Sequence, residues 1–391
     1  MFLCLISLIE VYSASSMLTF STNFYKPILK HSLFLFAGLV IVLLFHSINP
    51  NKFKIIFLAL PFIWIILIAA LFMGKPVNDA ARYIFGFQPS EFAKLFLIVS
   101  VALLLSARKE TLTENHSFKL MWGFSIVTCL LIFSENFSTA AILYCVIVLL
   151  MFIGQVSFKR LRLLILTTFT VLVFIFTFVW FFPETAKIIG LKRAVVGVER
   201  IRVYKNLQKI EKTDYVVDDR NYQATQAKIA LAKGGIFGTM PGNGQQRDFL
   251  PQAYSDFIFA IIIEEMGFLG GVFVLALYVF LFIRAGTIAG RCTKLFPKLL
   301  VMGCTTMIVI QAIISMAVSV GLIPVTGQPL PLISKGGSSI IVTCAFFGII
   351  LSVSRFENPR GVLQEEIIEE EFEEEKRLVL EDEQLGVQAV Y

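Results

Sequence analysis

Ser255-Asp-Phe-Ile-Phe-Ala-Ile-Ile-Ile-Glu-Glu-Met-Gly-Phe-Leu-Gly-Gly-Val-Phe-Val-Leu-Ala-Leu-Tyr-Val-Phe-Leu-Phe-Ile283 carries three acids near its start and no further charge before Arg284. A helix needs roughly 20 mostly apolar residues to cross the hydrocarbon of a bilayer, where unpaired backbone groups find no water. This stretch is long enough. Comparable runs lie at 1–18, 31–48, 53–73, 91–107, 118–135, 138–155, 161–182, 298–320 and 338–354. The first is short and interrupted by Glu10. The expected fold is therefore all-α and polytopic, with about ten transmembrane helices.

Composition agrees. Of 391 residues 57% are hydrophobic, 16% are charged and 39 are Phe. A soluble domain holds about 45–50% apolar and about 25% charged residues. The net charge of +6 divides unevenly: residues 361–391 carry −9, and residues 1–360 carry +15. The expectation is a membrane body at 1–360 and an acidic, disordered cytoplasmic tail at 361–391. The six cysteines show no disulfide framework; five lie in apolar runs and Cys292 in a short basic loop. No cleavable signal peptide is expected.

Lys and Arg favour the cytoplasmic side of short loops. With the N-terminus inside, inner segments carry fourteen basic residues and outer short loops five. Both termini are expected in the cytoplasm. Residues 183–254 then form a long outer loop between spans seven and eight, with twelve Lys/Arg and seven Asp/Glu. It is expected to be partly ordered, with a helix starting at Asn221–Leu231. The glycine-rich run Lys233–Gly244 follows, and suits sharp turns or close approach to a ligand.

Ionisable residues at membrane depth are costly and point to function. Asp256 opens the eighth span at its outer end. Two readings stay open: Ser255 and Asp256 cap the helix, or the half-wet carboxylate is a general base for a sugar hydroxyl. Glu264 and Glu265 project about 100° apart and are expected to pair within the membrane. In Gln88-Pro-Ser-Glu-Phe-Ala-Lys94, Pro89 and Ser90 suit a helix start, and Glu91 and Lys94 share a face. Arg82 is a candidate phosphate partner. Gly321–Ser339, with its prolines and glycines, must be buried or line a cavity; its Ser334-Lys-Gly-Gly-Ser-Ser339 offers amides and a cation to an anion. Arg193, Arg200, Arg202 and Lys205 could attract an anionic head group of membrane lipid. No metal motif, Walker loop or Ser-His-Asp arrangement is present, and His31, His46 and His116 are scattered. Nothing suggests nucleic acid. A divalent cation such as Mg or Mn stays open as a cofactor.

In this order the segments resemble the SEDS family of RodA, FtsW and SpoVE. The carrying motifs are Val11–Ser16, Ala81-Arg82 with Gln88–Glu91, Tyr222-Gln223 with Gln226, Gly234-Gly235, Leu250-Pro251 with Asp256–Phe259, Glu264–Gly267, and Pro324–Pro331 with Gly336–Ser339. Pro324-Val-Thr-Gly327 looks most like the division branch, FtsW. Three family patterns depart here: Ala81-Arg82-Tyr83 keeps one of two arginines, Ser134–Thr139 keeps only the threonine, and Lys335 replaces a tyrosine. The resemblance implies a peptidoglycan glycosyltransferase polymerising lipid II at the outer face of the cytoplasmic membrane. It implies a class B penicillin-binding protein and other divisome or elongasome proteins as partners. It matches the family's essential acid to Asp256. The substrate-binding set it suggests is Arg82, Gln88, Ser90, Glu91, Lys94, Thr139, Arg200, Tyr222, Gln223, Gln226, Gly234, Ser334, Lys335, Gly336, Gly337 and Ser338. A lipid II flippase and a non-catalytic scaffold are the rival readings.

Overall fold

The computed structural model describes residues 2–14, 26–73, 75–77, 80–83, 87–110, 114–188, 191–209, 221–250 and 253–356. The acidic tail, Pro251 and the Arg82 side chain lie outside the described residues. The chain begins with α1 (Phe2–Ala14) and α2 (Lys26–Ser47). A 3₁₀ segment, Pro50–Ala59, runs directly into α3 (Leu60–Met73). Two short antiparallel strands, β1 (Lys75–Val77) and β2 (Ala80–Tyr83), form a small hairpin that hydropathy did not signal. Then follow α4 (Pro89–Glu110), α5 (Glu114–Glu135), α6 (Phe137–Ile153) and α7 (Phe158–Phe181). The long loop contains α8 (Pro183–Ile188), α9 (Lys192–Lys209), α10 (Tyr222–Gly234) and α11 (Gln246–Phe249). The body closes with α12 (Ile258–Arg291), α13 (Leu295–Ser319) and α14 (Gly337–Phe356).

Among the described residues, eight helical stretches are long and apolar enough to cross a membrane, and α1 and α6 are shorter apolar helices. All ten expected spans therefore correspond to apolar helices. α4, α13 and α14 form the centre, with most of their residues buried, whereas α2 and α7 turn most of theirs outward. α2 lies along α14, with Gly38 facing Cys344 and Gly348 facing Phe45. Small residues let helices approach where lipid supplies no hydrophobic drive between them.

Two boundaries differ from expectation. The eighth span was expected at 255–283, but its helix starts at Ile258 and reaches Arg291. The apolar run ends at Ile283, yet Ala285–Gly290 contains no proline to stop a helix. The capping reading of Ser255 and Asp256 is also corrected: Phe257 stands at the N-cap position, and no side chain caps the helix.

α12 is kinked at Gly267, where φ is 73° and ψ is −176°. Only glycine occupies that region without strain. The glycine-rich segment 234–246 wraps this kink. Thr239 and Met240 N–H donate to the Glu264 and Glu265 carbonyls, both at 2.9 Å, and Phe268 N–H donates to the Gly235 carbonyl at 2.9 Å. The kink frees backbone groups, and the wrapping segment satisfies them.

Candidate functional site

The site is built on residues 321–336, the non-helical link between α13 and α14. Non-helical backbone at membrane depth survives only when its polar groups are satisfied. Here side chains from four helices do this. Tyr204 of α9 donates to the Leu322 carbonyl at 2.7 Å, and Arg200 to that of Val325 at 2.9 Å. Gln311 of α13 donates to the Pro329 carbonyl at 3.0 Å. Tyr278 of α12 donates to the Pro331 carbonyl at 2.5 Å, and Ser7 of α1 to that of Ile333 at 2.9 Å. Within the link, Gln328 donates to Thr139 of α6 at 2.9 Å.

Asp256 sits on a turn that hangs from this link. The Ser334 hydroxyl donates to the Ser255 carbonyl at 2.6 Å and accepts from Leu330 N–H at 2.7 Å. Lys335 N–H donates to the Tyr254 carbonyl at 2.9 Å, and its ammonium lies 4.7 Å from the centre of the Tyr254 ring. The half-buried carboxylate of Asp256 accepts from the Ser255 hydroxyl at 3.0 Å. Gly327, at φ 69°, faces it closely enough that a Cβ there would lie 3.5 Å from Oδ2. Burial, and then the charge of Lys30, hold the Lys335 ammonium below its ordinary value.

Two cavities open beside the link, of about 270 and about 230 Å3. They share Val196, Arg200 and the run Ile323–Val325. The first is lined also by Glu199, Tyr204, Gln223 and Lys228, the second by Asn136, Ser138, Arg193 and Thr326. Asp256 lines neither cavity; Thr326, in the wall of the second, precedes Gly327, the residue that faces the Asp256 carboxylate. The linings set guanidinium, ammonium, amide and hydroxyl groups, with the one acid Glu199, among apolar residues such as Val196 and Ile323–Val325.

Among the expected substrate-binding residues, Arg200 and Gln223 line the cavities, and Thr139 lines neither but accepts from Gln328 of the link. Ser334 and Lys335 hold the Asp256 turn, with Gly336 next in the chain. Gln88, Ser90 and Ser338 form one cluster: Gln88 N–H donates to Ser338 at 3.3 Å, and its side-chain amide donates to Ser90 at 3.1 Å. Gly337 packs against the Phe34 ring. Tyr222 and Gln226 lie on α10, half-buried, and line neither cavity.

Three others lie in the interior. Lys94 and Glu91 form a buried ion pair at 2.8 Å, 1% and 5% exposed, and Lys94 also donates to Gln311 at 3.1 Å. Through Gln311 the pair supports the Pro329 carbonyl. Gly234 meets the backbone carbonyl of Ile263, so its close approach is to α12. Glu264 accepts from Gln245 N–H at 2.9 Å and Gln246 N–H at 3.1 Å. Glu265 accepts from Gly242 N–H at 3.0 Å and from the Ser13 hydroxyl, with Arg247 3.7 Å away. Each acid thus has its own partners, as their angular separation requires.

Reading by motif missed α9 as a cavity wall, along with Glu199, Tyr204 and Lys228. α9 is too polar for hydropathy to register. Its signal was the basic helix-length run Lys192–Lys209 between two apolar spans. Arg202 stays outside the cavities, stacked 4.3 Å from the centre of the Trp180 ring. Among the described residues no three His, Cys, Asp or Glu side chains cluster as metal ligands would.

The fold and the site define a class: a polytopic membrane protein whose helices α13 and α14 are joined by a partly buried, side-chain-satisfied link that holds a carboxylate-bearing turn beside basic cavities. Residues 1–359 match the family described as cell cycle protein, that of FtsW, RodA and SpoVE. The chain belongs to that family. It is 31% identical over 367 residues to a Saccharophagus degradans protein named probable peptidoglycan glycosyltransferase FtsW, covering 90% of this chain and 89% of the relative. It is 30% identical to stage V sporulation protein E of Bacillus subtilis, covering 90% and 93%. Among solved structures, a chain described under structural coordination of polymerization and crosslinking by a peptidoglycan synthase complex superposes with a TM-score of 0.69 at 24% identity, covering 92% and 97%. The rod shape determining protein RodA of Thermus thermophilus superposes at 0.60 and 22%, covering 90% and 93%.

Proposed function

We propose that this chain is a peptidoglycan glycosyltransferase that polymerises lipid II at the outer face of the cytoplasmic membrane, with Asp256 as general base. The observation that carries the mechanism is the placement of Asp256: half-buried, fixed by its turn to the 321–336 link, and facing Gly327, whose chain neighbour Thr326 lines an arginine-bearing cavity. The acceptor sugar's 4-hydroxyl oxygen attacks the donor's anomeric carbon. The bond from that carbon to the pyrophosphate oxygen breaks, undecaprenyl pyrophosphate leaves, and Asp256 takes the hydroxyl proton. A single displacement inverts the anomeric carbon. Negative charge grows on the leaving group, and Arg200, Arg193 and Lys228 are the cations nearest the cavities to stabilise it. Both termini lie in the cytoplasm, and a class B penicillin-binding protein crosslinks the product.

The test follows glycan chains made from labelled lipid II by wild type and Asp256→Asn, each with its partner synthase. A positioned base contributes about 10²–10⁴-fold to rate, so Asp256→Asn loses polymer by that factor while inserting normally. Equal polymer from both proteins would place the base elsewhere. Lipid II movement between leaflets without polymer from wild type would make the chain a flippase.

A further inference from the structure

Leu332 is buried and holds φ at 64°, a left-handed conformation that a branched residue rarely adopts. Such a residue persists only where its surroundings over-determine it. Here the carbonyls on both sides of Leu332 are held. Tyr278 Oη donates to the Pro331 carbonyl at 2.5 Å, and Ser7 Oγ donates to the Ile333 carbonyl at 2.9 Å. Ser7 is completely buried and has a second partner, Nε2 of the buried His31, at 2.7 Å.

Donation from Ser7 to the Ile333 carbonyl assigns the histidine's tautomer. A serine hydroxyl carries one proton, and that of Ser7 points to Ile333. The ring must therefore donate, so Nε2 carries the hydrogen, and the buried Nδ1 presents its lone pair with no hydrogen-bond donor among the described residues. A relay results: His31 Nε2–H to Ser7 Oγ–H to the Ile333 carbonyl. Immediately beyond it stand Ser334 and Lys335, whose bonds to the Ser255 and Tyr254 carbonyls hold the Asp256 turn.

We infer that His31 and Ser7, opposed by Tyr278, are positioning residues: they clamp the left-handed Leu332 and so set the register in which Ser334 and Lys335 present Asp256. None of the three touches the cavities. The inference rests on the reading of Asp256 as the base. The clamp itself makes a separate prediction about backbone protection, which needs no catalysis.

The test uses the full-length protein in nanodiscs with its partner synthase and labelled lipid II. The variants are His31→Phe, His31→Gln, Ser7→Ala and Tyr278→Phe, beside Asp256→Asn. Glutamine keeps a side-chain N–H that can reach Ser7; phenylalanine fills the space without one. Misplacement of a reacting group by about 1 Å can cost up to about 10²-fold. His31→Phe, Ser7→Ala and Tyr278→Phe are therefore expected to lower kcat about tenfold or more with KM little changed, and His31→Gln to recover most of it. Hydrogen exchange of the 330–336 amides should quicken in the same three variants and not in His31→Gln or Asp256→Asn. Unchanged exchange overturns the clamp, as does His31→Gln behaving like His31→Phe. Faster exchange with unaltered kcat overturns the positioning role. Full activity in Asp256→Asn strikes the base reading alone, because exchange still decides the clamp. Ser7→Ala and Tyr278→Phe each delete one oxygen and keep the test open should His31→Phe fail to fold.

Discussion

Lys335 links backbone, ring and charge at the Asp256 turn. Its amide holds the Tyr254 carbonyl and its ammonium faces the Tyr254 ring. Burial and then Lys30 lower its pKa from 10.5. The sign follows. Below the lowered pKa the protonated lysine costs stability, and that cost fades as pH rises through the lowered pKa toward 10.5. The cation over the ring is lost in the same window. If turnover uses that cation, the alkaline limb of the pH–rate profile begins below pH 10.5. Lys335→Arg stays protonated there and moves the limb upward. Superimposable profiles would remove the cation from the mechanism. At this scale the sequence marked Asp256, Lys335 and Ser334 through their charge or their place beside glycines. It did not mark His31, Ser7 or Tyr278. A lone histidine, serine or tyrosine in an apolar run has no neighbour in sequence to betray its partner.

Among the elements, α4 shows how a motif is absorbed by structure. Pro89 and Ser90 open the helix as the sequence suggests, and Glu91 and Lys94 meet one turn apart. Both are buried, so the pair acts as an interior strut passing through Gln311 to the Pro329 carbonyl. Removing one member of a buried pair costs about 3–5 kcal/mol, because the other is left charged without a partner. Lys94→Met should therefore lower thermal stability sharply, and the double variant Glu91→Gln/Lys94→Met should recover much of it in the same melting assay. Equal losses in the single and double variants would argue against the strut. The glycine-rich segment teaches a related lesson. Its glycines were legible, and so were Glu264 and Glu265, but not that the two features answer each other. Gly234, Gly238 and Gly267 share a backbone crossing that excludes any Cβ. α10 was visible from Asn221 onward. α9 was not, because a polar helix in a loop lacks the apolar run by which membrane helices are recognised.

For the molecule as a whole, length and hydropathy located the apolar helices, eight of them among the described residues long enough to span and two, α1 and α6, shorter. Helix ends were less legible: α12 continues past its apolar run through Ala285–Gly290, which holds two alanines and no proline to stop it. Orientation rests on the Lys and Arg asymmetry and can be tested directly. In intact cells a membrane-impermeant maleimide should label Phe237→Cys, an exposed position in the glycine-rich segment, and should reach the native Cys292 only after the membrane is opened. Labelling of Cys292 from outside would invert the topology.

The link between α13 and α14 draws its donors from α1, α9, α12 and α13, all of which precede it in the chain. Ser7 and Ile333 lie 326 positions apart. During synthesis, then, these serine, arginine, tyrosine and glutamine groups are made before the carbonyls they will satisfy. The partly made protein carries an open socket, and only the arrival of α14 brings the peptide that fills it. Assembly of the site thereby waits on α14, so a chain cut short before α14 holds the donors and no working centre.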